Sequence, residues 1–200
     1  EAALADLRPL AEGRLVLSIM AGVRLAALAE RLGAEARLAR CMPNLPVQIG
    51  QGMTVYYPRP DLRSDELESI ERILRCGGLC LRLGNEELMD AATALVGSGP
   101  AYLFYFVEHL LQAAADLGFS AAESDLLVGQ TLKGALEQWR STARAPAELR
   151  ALVTSKGGTT AAAMEVLEQR CVGAALVECV SRACARAREL AAGQAGPKFC

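Results

Sequence analysis

Apolar positions follow two different periods along this chain. Up to about residue 84, short apolar runs that stop at glycine or proline alternate with segments whose apolar residues recur at helical spacing. The runs predict strands at 14–22, 36–44, 52–58 and 79–84. The helical spacing predicts helices at 1–10, 23–33 and 65–77, with Ser64 as the N-cap of the third. This alternation indicates an α/β layout.

From Glu86 onward the strand pattern disappears. Helical segments are predicted at 86–96, 100–117, 121–142, 146–153, 159–169 and 171–191, separated by glycine or proline. The change of period near Gly84 and Asn85 places a domain boundary between 1–84 and 85–200. The helices have broad apolar faces but few aromatic residues, so we expect a second subunit to bury part of them.

Composition and charge argue against several classes of protein. A net charge of −2 gives no electrostatic reason to expect nucleic acid or an anionic membrane as a partner. No strongly apolar run is long enough to span a membrane and the start of the chain lacks the pattern of a signal peptide, so we expect a cytoplasmic protein. The seven cysteines and the single histidine, His109, are not at metal-ligand spacing, which predicts reduced thiols and no metal.

Two loops of small residues interrupt the pattern where ligands commonly bind. "CMPNLP" (41–46) follows a predicted strand, and its prolines would hold Asn44 in a nearly fixed backbone with its amide free to donate and accept hydrogen bonds. "VGSGP" (96–100) breaks an apolar helix, with Pro100 suited to the first position of the next helix and the backbone amides and Ser98 hydroxyl exposed. A rigid turn and a plain hinge between helices explain these loops equally well.

A third stretch, "VTSKGGTTAAAMEVL" (153–167), places two glycines and four hydroxyl residues before a new helix. The unpaired N–H groups and positive dipole of a helix start suit a carboxylate or a phosphate. A structural cap made by Ser155 or a following residue is the alternative. Composition alone does not separate the two.

Four stretches, taken in order, resemble the pyrroline-5-carboxylate reductase family. They are "LVLSIMAGV", "RCMPNLPVQIGQGMTVYY", "ELMDAATALVGSGPAYLFYFVEHL" and "PAELRALVTSKGGTTAAAMEVLE", and the resemblance runs from about Leu15 to Leu190. It implies a partial Rossmann α/β fold at the N-terminus, followed by an all-α dimerisation domain that intertwines with a partner. The family reduces the cyclic imine L-1-pyrroline-5-carboxylate to L-proline with NADPH or NADH.

The resemblance also implies a role for particular residues. Thr93 and Ser98 would lie beside the imine ring as the catalytic residues. A second set would hold the substrate carboxylate at a helix start: Ser155, Gly158, Thr159 and Thr160. A third set would border the nicotinamide and its ribose: Ser18, Ala21, Met42, Pro43 and Asn44. A homodimer or a higher oligomer is expected, with two subunits completing each site.

One family feature is missing from this sequence. The glycine-rich G-x-G-x-x-G loop that binds the pyrophosphate has no counterpart, since "GQGMTV" (50–55) has valine at the third glycine position and precedes a strand. We therefore expect the first two βα units to be absent from this chain, which would leave an exposed apolar strand edge. Three hypotheses follow: an enzyme lacking its N-terminal portion here, an inactive dimerisation or binding module, or a helical bundle with a chance resemblance.

Overall fold

The computed structural model describes residues 2–193. The chain forms two compact units, each described separately below. Of the described residues, the first unit contains 2–100 and 179–193, and the second is Ala101–Glu178. In the described part of the chain, no helix is both long and apolar enough to span a membrane.

The first unit is built on a mixed four-stranded sheet. Its strands are β1 (Leu15–Ser18), β2 (Arg37–Met42), β3 (Gly52–Pro58) and β4 (Gly78–Arg82), in the spatial order β1-β2-β3-β4. The β1–β2 and β3–β4 pairs are parallel, whereas β2 and β3 are antiparallel. Up to residue 92 its α-helices are α1 (Ala2–Ala11), α2 (Leu25–Leu32), α3 (Ser64–Arg75) and α4 (Leu88–Ala92), and the later part of the last helix also belongs to it. This arrangement confirms the predicted α/β part of the fold.

Helices cover both faces of the sheet because alternate residues of β2 point to opposite sides. Leu38 packs in one buried cluster with Leu28 of α2, and both are almost completely inaccessible. Ala39 and Cys41 face the other way, into a cluster with Tyr56 of β3 and Ile70 of α3. Burying a side chain of this size stabilises the fold by roughly 1.5–3 kcal/mol. The central strands are thereby fixed in register.

β1 is an edge strand of the described sheet. It pairs with β2 on one side, and no other strand between residues 2 and 193 pairs with its second edge. A groove of about 350 Å³ runs along β1, between α1 and α2. Its lining is largely aliphatic and includes Leu7, Leu10, Leu15, Leu17, Leu28 and Leu32. The apolar strand edge expected from the sequence is therefore present.

The second unit is helical. It contains most of α5 (Gly99–Asp116), all of α6 (Ala121–Ser141), α7 (Pro146–Leu152) and α8 (Thr159–Gln169), and the start of α9 (Val172–Gly193). Large apolar side chains on several of these helices are exposed in the single chain, including those of Phe104, Leu126, Trp139 and Val166. Together with the sheet unit, these helices confirm the predicted succession of a partial Rossmann fold and an all-α part.

The start of α3 differs from the sequence prediction. Ser64 is the first helical residue rather than the N-cap, and Arg63 occupies the cap position. The backbone N–H of Arg63 donates to Glu66 Oε2 at 2.7 Å, so a carboxylate one turn into the helix caps it. The same carboxylate accepts two hydrogen bonds from Arg37, from Nε at 2.8 Å and from Nη2 at 2.7 Å. These contacts lower the pKa of Glu66 to about 2, chiefly through the Arg37 guanidinium.

Replacing Glu66 by Gln should therefore make the free energy of unfolding vary less with pH in the acidic range. A carboxyl whose pKa is lower in the folded state stabilises the fold above its unfolded pKa, and this stabilisation is lost as the pH falls through the folded value. We expect Glu66→Gln to be less stable than the parent at neutral pH, by a margin that shrinks as the pH falls from about 5 to about 2.5. Urea denaturation at a series of pH values measures this margin. The matched control is Glu68→Gln, at an exposed position of the same helix; a margin for Glu66→Gln that does not change with pH would contradict the role of Glu66.

Candidate functional site

The carboxyl ends of β1 and β2 lie side by side in the first unit. The strands are parallel with Ser18 opposite Arg40, so the segments that follow them leave the same edge of the sheet. Ser18 is buried at the end of β1, and its Oγ accepts a long hydrogen bond of 3.4 Å from the Met20 N–H. Ala21 lies in the turn beyond it and is exposed. The structure thus brings the predicted Ser18–Ala21 segment next to the end of β2.

The segment after β2 is held tightly in place. Met42 is buried, whereas Pro43 and Asn44 are half-buried ahead of a 3-10 helix, Leu45–Ile49. Asn44 Oδ1 accepts the Met53 N–H at 2.9 Å. The expectation of a completely free amide was therefore wrong, because its oxygen completes a backbone hydrogen bond. Its NH₂ group, by contrast, makes no hydrogen bond to the described residues.

The predicted break between helices at 97–99 falls at Ser98, and the helix before it ends in a π-helical turn. This turn, Thr93–Gly97, continues α4 directly and is closed by a hydrogen bond of 3.0 Å from the Ser98 N–H to the Thr93 carbonyl. α5 then begins at Gly99, one residue before Pro100. The Ser98 amide is consequently engaged rather than exposed. Single π turns inside helices are frequent at functional sites.

Thr93 and Met42 are neighbours in the first unit. A Cβ atom added at Gly97 would lie 3.2 Å from Met42 Sδ and 3.9 Å from Thr93 Cγ2, so both side chains approach the same side of Gly97. The Thr93 hydroxyl donates to the Met89 carbonyl at 2.8 Å, one turn back in α4. Its oxygen keeps a lone pair for another donor. A predicted catalytic residue therefore lies beside a predicted cofactor-binding residue.

A buried group of charges adjoins these segments. Arg40, on β2, is only 3% exposed, and its Nη1 donates to Glu86 Oε1 at 2.8 Å. Asp90 of α4 is also buried, with Oδ1 3.9 Å from Arg40 Nη2. Glu86 Oε1 accepts a second hydrogen bond of 2.8 Å from the Leu25 N–H, at the start of α2. The Arg40 Nε has no hydrogen-bond partner among the described residues.

Sequence reasoning missed this charged group. Its signal was Arg40, an arginine inside the apolar part of β2 at 38–42, with two acidic residues four apart in the segment that leads to Thr93. A charged residue is rarely buried unless it is paired, so Arg40 could have been marked as a residue that needs acidic partners. The pairing itself spans 46 residues of sequence and is not visible without the fold.

The loop before α8 lies in the second unit and has an open helix start. Gly158 is the N-cap of α8, and no side chain forms a capping hydrogen bond there. This excludes the predicted alternative of a side-chain cap from Ser155. Ser155 instead accepts the Gly158 N–H at its backbone oxygen, at 3.0 Å, while Gly157 adopts a left-handed conformation with φ of 73°. Thr159 and Thr160 form the first turn, whose backbone N–H groups point out of the helix end.

Side chains capable of other chemistry are not gathered elsewhere in the described residues. Between residues 2 and 193, no group of three or more histidine, cysteine, aspartate or glutamate side chains could hold a metal ion. His109 Nδ1 is 2.8 Å from the Tyr105 carbonyl of its own helix. Burial raises the pKa of the Cys41 thiol to about 12, so this cysteine stays protonated near neutral pH.

Comparison with known proteins identifies the same family throughout. Residues 86–190 match the family described as pyrroline-5-carboxylate reductase dimerisation. The pyrroline-5-carboxylate reductase of Aquifex aeolicus is 35% identical over 88% of this chain and 66% of its own length. The Synechocystis enzyme is 36% identical over 94% of this chain and 69% of its own length. The chain thus spans about two thirds of the length of these relatives.

Solved structures agree with these relatives. The Plasmodium falciparum pyrroline carboxylate reductase, solved with NADP bound, superposes with a TM-score of 0.91 at 29% identity, covering 95% of this chain and 76% of that one. The Coxiella burnetii pyrroline-5-carboxylate reductase gives a TM-score of 0.85 at 33% identity, covering 94% and 71%. The first unit and the helices that follow it are therefore arranged along the chain as in those proteins.

The structural role of Asn44 predicts different effects for two substitutions. Asn44→Ala removes the acceptor of the Met53 N–H and should lower the free energy of unfolding by about 1–3 kcal/mol. Asn44→Asp keeps an oxygen at the same position and should retain most of that stability. Urea denaturation of both variants measures these changes in the free energy of unfolding, with Gln48→Ala, at an exposed position, as the control. Equal losses for Ala and Asp would contradict the assigned hydrogen bond.

Proposed function

Because the chain belongs to the pyrroline-5-carboxylate reductase family, we propose that the full gene product reduces L-1-pyrroline-5-carboxylate to L-proline with NADPH or NADH. It is then an oxidoreductase of proline biosynthesis. The observation that carries the proposal is the position of Met42 beside Gly97 and Thr93. A residue expected at the nicotinamide and one expected at the imine lie together, as a direct hydride transfer requires.

The catalytic roles fall to Thr93 and Ser98. A protonated imine is already an electrophile, so the protein has to orient it rather than activate it with a strong base. The Thr93 hydroxyl donates a hydrogen bond to the Met89 carbonyl. Its oxygen is then suited to accept a hydrogen bond from the iminium N–H. Ser98 follows the π turn and would contact the same ring. These contacts would hold the imine carbon at a fixed distance from the hydride donor.

The substrate carboxylate is assigned to the start of α8. The residues that would hold it are Ser155, Gly158, Thr159 and Thr160. An uncapped helix start offers free N–H groups and the positive end of the helix dipole to an anion. Gly158 is suited to this position because a Cβ atom there would lie 2.5 Å from Ser155 Oγ. Any larger residue would displace a hydroxyl that the carboxylate needs.

The nicotinamide end of the cofactor is assigned to the two adjacent strand ends. The residues that would border it are Ser18, Ala21, Met42, Pro43 and Asn44. They fit a planar polar ring, since Ala21 is exposed and small and the Asn44 NH₂ group makes no hydrogen bond to the described residues. When bound, the reduced nicotinamide supplies the hydride. This chain has no G-x-G-x-x-G loop for the pyrophosphate, so the residues present account for the nicotinamide end alone.

The domain assignment and the oligomer are part of the proposal. We assign 1–84 to the partial Rossmann domain and 85–200 to the dimerisation and substrate-binding domain. A homodimer, or a higher oligomer built from it, is supported by the matched dimerisation family and by the exposed apolar side chains of the second unit.

Activity of the full gene product tests the proposal directly. We expect oxidation of NADPH or NADH that depends on L-1-pyrroline-5-carboxylate and yields L-proline, followed by absorbance and by chromatography of the product. The 1–200 chain, assayed in parallel, separates an enzyme from an inactive dimerisation module. A full gene product that binds neither nucleotide and forms no proline would contradict the proposed function.

The carboxylate assignment predicts a specific loss in substrate binding. Thr160→Ala in the full gene product should raise the KM for the imine substrate roughly tenfold to a hundredfold, because a hydrogen bond to a charged group contributes about 1.5–3 kcal/mol. Steady-state kinetics at saturating nucleotide measure this change. The matched control is Thr154→Ala, since the Thr154 hydroxyl, just beyond the end of α7, donates to the carbonyl of Arg150 in that helix. An unchanged KM for Thr160→Ala would remove Thr160 from the carboxylate site.

A further inference from the structure

We infer that Glu86 is a positioning residue for the hydride transfer, and this inference rests on the function proposed above. Its carboxylate joins three segments of the first unit that are far apart in sequence. Oε1 accepts hydrogen bonds from the Leu25 N–H and from Arg40 Nη1, each at 2.8 Å. Glu86 itself lies two residues before α4.

Each of the three segments leads into part of the proposed site. Leu25 starts α2, directly after the turn that contains Ala21. Arg40 is two residues before Met42 at the end of β2. α4 runs from beyond Glu86 into the π turn that begins at Thr93. One oxygen atom therefore sets the spacing between the nicotinamide side of the site and the imine side.

Burial and charge hold the Glu86 carboxylate in place between Arg40 and the Leu25 N–H. Arg40 is 3% exposed, so its charge depends on acidic partners instead of water, and Glu86 is the partner within hydrogen-bond distance. At the start of α2, the Leu25 N–H has no acceptor within its own helix. The Glu86 carboxylate satisfies both groups at once. Loss of its charge would release the end of β2 and the start of α4 from each other.

The neighbouring Glu87 provides a matched comparison. Its carboxylate forms a bidentate pair with Arg24, at 2.6 and 2.9 Å, but both side chains are about half exposed. A pair in contact with water contributes little and constrains little. Glu87→Gln removes the same charge from the adjacent position without touching Arg40 or Leu25. Any difference between the two variants then reflects the buried contact.

Single-turnover kinetics of the full gene product provide the test. Enzyme loaded with stoichiometric reduced nucleotide is mixed with saturating L-1-pyrroline-5-carboxylate, and nucleotide fluorescence is followed. The amplitude reports the fraction of competent sites, while the rate constant reports hydride transfer within them. We expect Glu86→Gln to lower the rate constant roughly tenfold to a hundredfold with most of the amplitude kept, and Glu87→Gln to leave both within about twofold.

Two further measurements keep the result decisive. Hydrogen exchange of the nucleotide-free protein should show faster exchange at residues 18–25 and 88–98 in Glu86→Gln, and no such change in Glu87→Gln. Glu86→Asp keeps the charge but shortens the side chain. If Glu86→Gln does not fold, the single-turnover rate constant of Glu86→Asp is the test instead. A rate constant within about twofold of the parent, whatever the amplitude, overturns the positioning role. A parent that shows no substrate-dependent turnover overturns the proposed function instead.

Discussion

The buried guanidinium of Arg40 is the constraint on which the sheet unit depends. A cation with almost no access to water must be matched by carboxylates, and the fold supplies these from the segment that follows the last strand. This requirement fixes where that segment crosses the sheet. The position of α4, the turn that follows it and the start of α2 all follow from one pairing. Apolar packing around Met42, Val55 and Met89 then fills the space that the charges define.

The residues proposed to contact the rings and those proposed to hold the carboxylate use different physical means. In the first unit, the Asn44 oxygen and the Thr93 hydroxyl are each held by a hydrogen bond to the backbone. These hydrogen bonds fix the side chains that would contact the two rings. The start of α8 is the reverse, because its backbone N–H groups have no side-chain cap. Free donors suit an anion, which brings its own charge to the contact.

The sequence was sufficient for the parts of the fold that depend on local pattern. The strand at 52–58 and the helix at 159–169 have the predicted bounds: Gly52 and Pro58 bound the strand, Gly158 precedes the helix, and each has its own apolar period. Met42 and Thr93, both named from the family motifs, also lie close to the same glycine, Gly97. Features that depend on distant partners were missed. The Asn44 oxygen accepts a hydrogen bond from the Met53 N–H, nine residues away. Glu66, and not Ser64, caps the start of α3. Arg40 pairs with Glu86, 46 residues away in sequence.

The π turn also changes which residues share a face of the helix. In a regular α-helix each residue advances about 100°, so residues five apart would point roughly 140° away from each other. The hydrogen bond from the Ser98 amide to the Thr93 carbonyl widens the turn until it closes over five residues. Thr93 and Ser98 therefore lie closer to the same side of the helix than two residues five apart in a regular α-helix would. Residues that ordinary helical spacing would place on opposite sides are brought towards one face.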